Sequence, residues 1–538
     1  MCAPALRQAV RLREPWLVAF HVDSSAAKSE RNLNPNPTMN RSSFSFTLAT
    51  LSLAAGAITA HGQSVATSVA LPPAAPPSGA PPPSLSSTEQ WIQDVKSPLS
   101  WFTWGGDLRI RDEYYNNIVS LSEKNPLHEQ NVIRYRARLW STITPVDDLS
   151  FNVRLAAEPR QWTRPAFTGT FRGDEGMEWR YGIFDNLNVK WNNVLSQPLT
   201  ITAGRQDIMI GDFWNWWLVA DGTPGDGSWT YYLDSLRATY EAKELKTKFD
   251  LIGIYQSARP DDWFPTLNAN PSPDDSPTPY YLTEQNELGL IAYASNKSIK
   301  NTTLDGFFIY KHDDQELSNG DNADIYTLGG RLTGFPGEHW QYSLDGAYQF
   351  GNKQDPTVAA DPDRQRDIDA FGANARLSYL FRDSLNNQLH LVGEYLSGDN
   401  DATDGKDEMF DILWGRWPRY SELYIYSYAA ETGGRIAQHN NLMRLGGGWT
   451  FSPMKKMLAG AYYNALFAPQ EDPTRAGGAA PLFSYDGHFR GHYLQCALQH
   501  TFTKHMKGQL WAEFVWQGDY YSQNDLMTFL RAEVSFSF

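Results

Sequence analysis

From residue 104 onward the sequence repeats one pattern, in which apolar and polar side chains alternate over segments of about ten to fifteen residues. In one such segment Tyr135, Ala137 and Leu139 fall on one face, and three arginines fall on the other. Successive side chains of a β-strand point to opposite faces, so this alternation predicts strands with one apolar and one polar face. A chain built from many such strands is all-β.

The links between these segments distinguish a membrane protein from a soluble one. Short links of about five residues alternate with much longer links along the chain. Transmembrane barrels have this arrangement, because strands of about 9–11 residues are joined by short periplasmic turns and long outer loops. We therefore predict a transmembrane antiparallel β-barrel of about 18 strands, and a soluble secreted all-β protein is the alternative. The strands are predicted to start near residues 104, 130, 149, 178, 198, 229, 246, 284, 302, 321, 339, 366, 387, 439, 455, 488, 507 and 525.

One segment fits this count poorly. Residues 420–430 alternate like a strand, but a nineteenth strand would leave the two chain ends on opposite sides of the membrane. We assign the segment to a long outer loop.

The start of the chain predicts export. Residues 1–62 contain a basic segment, an apolar run from Phe44 to Ala60 and a small-residue cleavage site, which are typical of a secretory signal peptide. Met39 is the predicted true start, and the residues before it form a presegment. Residues 63–100 are rich in Pro, Ala and Ser and predict a periplasmic linker.

Residues 101–538 are predicted to form the barrel. The last strand alternates and ends in Phe538, like the C-terminal signal of bacterial outer-membrane barrels. Outer-membrane lipid and the barrel assembly machinery are the predicted partners. The oligomeric state is left open.

Composition and motifs exclude several classes of protein. The net charge of −15 opposes nucleic-acid binding. A mean hydropathy of −0.49, without an apolar run of membrane-spanning length in the mature chain, opposes a helical membrane protein. No nucleophile elbow, phosphate-binding loop or zinc motif occurs, so no enzyme is predicted. An outer-membrane lipase would need a Ser/His pair on the lipid face, where His500 stands alone.

The polar faces of the strands are rich in arginine and are predicted to contain no lysine. Arginine binds carboxylates through two parallel hydrogen bonds and stays charged, so a lumen lined with it favours anions. Pairing of these arginines with acidic residues as internal braces is the alternative. The arginines that alternation places along the substrate path are Arg109, Arg111, Arg134, Arg136, Arg138, Arg154, Arg160, Arg237 and Arg531.

One outer loop carries a weak calcium signal. Asp399, Asp401 and Asp404 are spaced closely enough for their oxygens to surround Ca²⁺, although the following glycine is one place late for an EF-hand. A solvated acidic loop is the favoured interpretation. No other cofactor is predicted.

Residues 202–212 carry a Gly-Arg-Gln sequence followed by Gly-Asp, and they resemble a motif of the alginate export family of outer-membrane proteins. Residues 106–111, 184–190 and 233–240 also resemble this family. The resemblance covers roughly residues 100–538, is strongest in residues 104–256, and adds Arg205 to the substrate path. It implies an 18-stranded barrel with an electropositive constriction that passes a polyuronate passively. One departure is the aromatic residues 213–217, where family members often have an Arg-containing stretch.

The predicted function is therefore an outer-membrane porin that passes an anionic, alginate-like polysaccharide or oligosaccharide through an Arg-lined lumen. A general diffusion porin for small solutes is the alternative. A loop folded into the lumen would favour polymer selectivity, and an open lumen would favour diffusion.

If the arginines set the selectivity, Arg134→Glu together with Arg136→Glu should remove the preference for anions, because two positive charges become negative. The measurement is the reversal potential of the refolded barrel in a KCl gradient. An unchanged anion preference in the double variant would contradict an Arg-based filter.

Overall fold

A computed structural model of the chain describes residues 86–164, 176–178, 182–211, 217–219, 232–260, 267, 281–354, 364–401, 404–415, 418, 420–432, 440–471 and 482–538. Residues 1–62, with the predicted presegment and signal peptide, and most of the predicted linker lie outside these ranges. The aromatic residues 213–216 also lie outside them.

Eighteen antiparallel strands form one closed barrel, in which each strand pairs with the next and the last pairs with the first. The predicted fold class is confirmed, and the predicted strand starts lie within four residues of the observed ones. The barrel strands are β1 (Phe102–Asn116), β2 (Glu129–Val146), β3 (Leu149–Ala157), β4 (Gly182–Trp191), β5 (Leu199–Gln206), β6 (Leu233–Ala242), β7 (Thr247–Gln256), β8 (Gln285–Asn296), β9 (Thr302–Gln315), β10 (Ala323–Gly334), β11 (Trp340–Gln354), β12 (Gln365–Leu380), β13 (Gln388–Leu396), β14 (Leu442–Phe451), β15 (Met457–Phe467), β16 (Phe489–Thr503), β17 (Met506–Gln517) and β18 (Leu526–Ser537).

Several short elements accompany the barrel strands. Two are α-helices, α1 (Ser87–Lys96) and α2 (Leu423–Glu431). Among the described residues, no helix is both long and apolar enough to cross a membrane. The remaining short elements are the strands Arg160–Trp162, Gly176–Glu178, Ile210–Gly211, Trp217–Val219 and Lys406–Asp407 and the 3₁₀ turns Val194–Ser196 and Lys243–Leu245.

Both helices differ from the sequence predictions. Helix α1 occupies part of the predicted linker 63–100, so residues 87–96 of that segment are helical. It starts where the Ser86 side chain accepts a hydrogen bond from the Glu89 backbone N–H at 3.2 Å. Helix α2 lies in the segment that alternates like a strand. The prediction that residues 420–430 belong to a long loop is confirmed, but their strand-like alternation does not form a strand.

The barrel separates its two faces as the alternation predicts. Side chains such as Leu108, Leu251 and Leu391 lie on the outer face with exposed fractions of 42–64%. These residues provide the apolar surface that faces lipid. The opposite face of each strand carries the buried polar and charged side chains.

The longest link joins β13 and β14 and spans residues 397–441, and its described residues 410–415 and 420–431 lie inside the barrel. We call it the inward loop. Its residues Phe410 and Trp414 have no exposed surface. Val219, in the described part of the link between β5 and β6, also lies inside the barrel, because it is fully buried and forms a β-bridge with Trp414. An apolar cluster therefore lies inside the barrel rather than outside it.

Gly204 of β5 lies directly against the backbone of β4. Its φ is +115°, and a Cβ atom there would lie 2.5 Å from the Leu187 carbonyl oxygen. Gly204→Ala should therefore lower the free energy of unfolding by about 2 kcal/mol or more. Urea titration of the barrel in lipid vesicles, followed by the heat-dependent shift in gel mobility, measures this loss.

Gly253→Ala is the matched control, because a Cβ atom at Gly253 would meet nothing within 4 Å. The two variants should differ clearly in their urea midpoints. Equal midpoints would show that the β4–β5 contact tolerates a side chain.

Candidate functional site: the arginine wall and the inward loop

Seven of the predicted arginines lie together on the lumen face of β18, β1, β2 and the short strand that follows β3. We call this group the arginine wall. Strand register places Arg111 beside Arg134, and Arg134 beside Arg160. One row nearer the short turns, Arg109 lies beside Arg136. Rows on one face are two residues apart, or about 7 Å along the strand. The wall consists of Arg109, Arg111, Arg134, Arg136, Arg138, Arg160 and Arg531.

The upper part of this wall is built around one shared carboxylate. Glu113 is fully buried and lies 3.1 Å from Arg134, 2.7 Å from Arg531 and 3.9 Å from Arg111. A buried carboxylate needs opposite charge and hydrogen bonds to offset its loss of hydration. These arginines supply both, so Glu113 ties β18, β1 and β2 together.

Other acidic residues extend the pairing along β1. Glu533 of β18 lies 2.5 Å from the Arg111 Nε. Glu158 lies 3.8 Å from Arg109, at the edge of ion-pair distance. The alternative interpretation of the arginines as internal braces therefore describes a large part of the wall.

Arg136 is held less tightly than Arg134 and Arg138, its neighbours on β2. Its one ion pair among the described residues is with Asp107, at 3.7 Å. Asp107 is already occupied by Arg138, which donates two hydrogen bonds to it at 2.6 and 2.9 Å. Arg136 donates no hydrogen bond to any residue that the structure describes, and its Nε is buried without an acceptor. A guanidinium group in this state can bind an incoming carboxylate.

The remaining predicted arginines lie on β3, β5 and β6 and are paired locally. Arg154 lies 2.7 Å from Asp185 and 2.8 Å from Asp207. Arg237 lies 2.9 Å from Asp250. These pairs brace neighbouring strands and link one of them to the loop that follows β5.

Arg205 is the centre of the Gly-Arg-Gln segment. Its Nε lies 3.0 Å from the Asp234 carboxylate, and its Nη1 donates to the Phe184 carbonyl oxygen at 2.8 Å. The guanidinium also stacks 3.7 Å above the Tyr232 ring. This motif residue therefore joins β4, β5 and the start of β6, and it is 3% exposed.

The prediction that the lumen face contains no lysine is wrong. Lys311 of β9 is buried, 2.6 Å from Asp313 and 3.5 Å from Glu287. Lys353 of β11 lies 2.8 Å from Asp321. Both residues fall near the outer ends of long strands, which extend further than the alternation alone indicated.

The inward loop is fixed to the barrel through Glu513 of β17. This carboxylate accepts hydrogen bonds from the Ser421 hydroxyl at 2.6 Å and from the backbone N–H groups of Glu422 and Leu423 at 2.9 and 2.8 Å. The first N–H groups of a helix have no partner within the helix, and a negative charge is favourable there. Glu513 of β17 thus caps the first turn of helix α2.

The other end of α2 is also held. Arg490 lies 2.6 Å from Glu431, which accepts a further hydrogen bond from the Tyr521 hydroxyl at 2.6 Å. Between the two ends, burial raises the pKa of Tyr424 and of Tyr428, and these phenols stay neutral inside the barrel.

Contacts on further strands carry the inward loop across the lumen. Trp414 donates a hydrogen bond to Glu287 of β8 at 2.9 Å. Gln349 of β11 exchanges two hydrogen bonds with the Asp411 backbone, at 2.6 and 2.8 Å. Glu422 lies 3.3 Å from Arg531, so the loop also reaches the arginine wall.

The predicted calcium residues surround a protein cation. Arg366 of β12 lies 2.7 Å from Asp399 and 3.3 Å from Asp404, and it donates to the Asp401 carbonyl oxygen at 2.9 Å. Burial raises the pKa of Asp399, and the hydrogen bonds from Asp401 and Arg366 oppose this. Among the residues described, no group of His, Cys, Asp and Glu is arranged to hold a metal ion. The calcium site stays a prediction.

Alternation predicts Glu513 on the lumen face, but sequence reasoning missed the inward loop as a lumen element, and with it Arg490 and the role of Glu513 in holding the loop. Alternation places both side chains on the lumen face, but nothing in the sequence pairs them with a loop about 60 to 90 residues away. One available signal was the apolar aromatic segment at residues 420–430, which is too apolar for a solvated loop.

One family model matches part of the chain. Residues 274–534 match the model of the alginate export family, which confirms the resemblance predicted from the sequence. The match lies C-terminal to residues 104–256, where the resemblance was expected to be strongest. A comparison with curated proteins finds no match.

The chain is also similar to solved structures of proteins from two bacteria. OccAB1 of Acinetobacter baumannii is 9% identical, with 81% of this chain and 96% of that chain covered and a TM-score of 0.48. OpdK of Pseudomonas aeruginosa with vanillate is 10% identical, with 81% and 98% covered and a TM-score of 0.46. OccK5 of the same organism is 10% identical, with 81% and 98% covered and a TM-score of 0.45.

The family match and the closed barrel with its apolar exterior place the protein in the bacterial outer membrane. There it forms a channel.

Glu513→Ala should release the inward loop, because it leaves the Glu422 and Leu423 N–H groups buried without an acceptor, at a cost of about 1–3 kcal/mol each. We expect faster hydrogen exchange in residues 420–432 and a higher single-channel conductance. Glu338→Ala in an exposed short turn is the control and should leave both unchanged. Unchanged exchange in Glu513→Ala would mean that other contacts hold the loop.

Proposed function

We propose that this outer-membrane channel, with its match to the alginate export family over residues 274–534, passes an anionic, alginate-like polysaccharide or oligosaccharide. Passage is passive and involves no chemical step. The carboxylates of the polymer bind in turn to arginines along the lumen wall.

The observation that carries this proposal is the state of Arg136. It is a lumen guanidinium without a hydrogen-bond acceptor among the described residues, and Arg109 and Arg138 lie next to it. Five of the six arginines of β18, β1 and β2 pair with only three carboxylates of the same strands, namely those of Asp107, Glu113 and Glu533. The sixth, Arg109, lies 3.8 Å from Glu158. Added negative charge is therefore favourable at the level of Arg136.

A polymer fits this arrangement better than a single small anion. The arginines occupy successive rows that step along the wall from Arg531, beside the inward loop, toward the short turns. A chain with a carboxylate on each sugar can occupy several rows at once, and each weak contact is easily exchanged for the next. The inward loop, attached to strands from β8 to β18, also restricts free diffusion through the lumen.

Arg136→Gln is the sharpest single test, because Arg134 also braces Glu113 and its removal would disturb the fold. The variant should weaken block of single-channel current by oligouronates about tenfold, which corresponds to loss of one charge-assisted contact of about 1.4 kcal/mol. The reversal potential in a KCl gradient should also shift toward lower anion preference.

Lys243→Gln removes the same charge from an exposed short turn and is the matched control. A neutral oligosaccharide of equal length tests whether block depends on charge. Equal block by both oligosaccharides, unchanged in Arg136→Gln, would contradict the proposal and favour a general diffusion porin.

A further inference from the structure

Helix α1 lies against the outside of the barrel. Trp104 of β1 belongs to the outward face, like the lipid-facing Leu108 on the same strand. Its indole Nε1 donates a hydrogen bond to the Val95 carbonyl oxygen at 2.7 Å. A second contact joins Glu89 to Lys504, in the short turn between β16 and β17, at 2.7 Å. The helix therefore runs along the rim at the short-turn end.

The helix presents three different faces. Ile92 and Lys96 are four residues apart and buried, and they form the packed face. Trp91 and Val95 are also four residues apart, and they are 52% and 38% exposed. On the remaining side are polar residues, among which Gln90 donates a hydrogen bond to Asp94 at 3.2 Å.

Successive residues of a helix are about 100° apart around its axis. The stripe of Trp91 and Val95 therefore lies between the packed face and the polar side that carries Gln90 and Asp94. A helix in this position has one side toward the barrel, one apolar side and one polar side. This is the division expected of a helix that lies in the plane of a membrane interface.

The apolar stripe continues into the lipid-facing surface of the barrel. After α1 the chain exposes Leu99 and Trp101, by 48% and 47%. Trp104 then packs edge-to-face on Phe538, with ring centroids 5.4 Å apart. Exposed aromatic residues mark the same rim on other strands: Trp191, Trp340, Trp449, Phe502 and Phe536.

We propose that α1 is an interfacial helix that binds the phospholipids of the periplasmic leaflet through Trp91, Val95, Leu99 and Trp101. Indole rings are favoured at the boundary between hydrocarbon and water. The polar side with Gln90 and Asp94 then faces the periplasm. This binding surface is independent of what passes through the lumen.

Site-directed spin labelling tests the proposal in the full chain, with Cys2→Ser and Cys496→Ser removing the native thiols. One nitroxide is attached at Val95→Cys on the apolar stripe and another at Gln93→Cys on the polar side. The barrel is refolded in vesicles of phosphatidylethanolamine and phosphatidylglycerol. The label at Val95→Cys should collide more with oxygen than with a water-soluble nickel chelate, and the label at Gln93→Cys should show the reverse.

Thr88→Cys, seven residues before Val95 and on the same side of the helix, provides a second probe and should behave like Val95→Cys. Heat-dependent gel mobility establishes that each labelled barrel is folded. Nickel access at both stripe positions equal to that at Gln93→Cys would overturn the proposal and leave the stripe to a protein partner or a second copy. Rapid isotropic motion at all three labels would overturn it too, since the helix would then be detached from the rim.

Discussion

Pairing of the first strand with the last, β1 with β18, closes the barrel. Backbone N–H and C=O groups have no water partner in the hydrocarbon layer, so every strand edge must be paired. Ten register pairs join β1 to β18, from Asp107–Ser537 to Asn116–Thr528. Once the sheet is closed, alternation directs most charged side chains of the strands into the lumen. The arginine wall is crowded with charge because the exterior of the barrel is apolar.

This crowding of charged side chains determines how the arginines pair with carboxylates. Glu113 meets Arg134 through the β1–β2 hairpin, but it meets Arg531 only because the first and last strands are neighbours. A single buried carboxylate shared in this way compensates more than one guanidinium. In the neighbouring row with Arg136, the guanidinium N–H donors outnumber the carboxylate acceptors. The surplus at Arg136 follows from this sharing rather than from a dedicated binding pocket.

The same limits explain what the sequence could predict. Strand positions follow from alternation and link length, which are local, and the assignment of arginines to the lumen follows from parity along each strand. The inward loop could not be predicted in this way. Tyr424, Tyr426 and Tyr428 are spaced by two, as in a strand, yet they lie in a helix that is largely buried. Its cap comes from Glu513, and that pairing exists only in the folded barrel.

A wall in which most arginines already have carboxylate partners suits passage better than tight capture. A channel must bind its solute strongly enough to admit it and weakly enough to release it. If an anionic polymer passes as proposed, internal carboxylates such as Asp107 and Glu158 compete with it for the same guanidinium groups, so each contact is an exchange of partners. In the proposed pathway Arg136 admits an incoming carboxylate without displacing a hydrogen bond, and its paired neighbours limit how long that carboxylate stays. Glu422, which lies on the inward loop next to Arg531, extends this exchange to the end of the wall where the loop crosses the lumen.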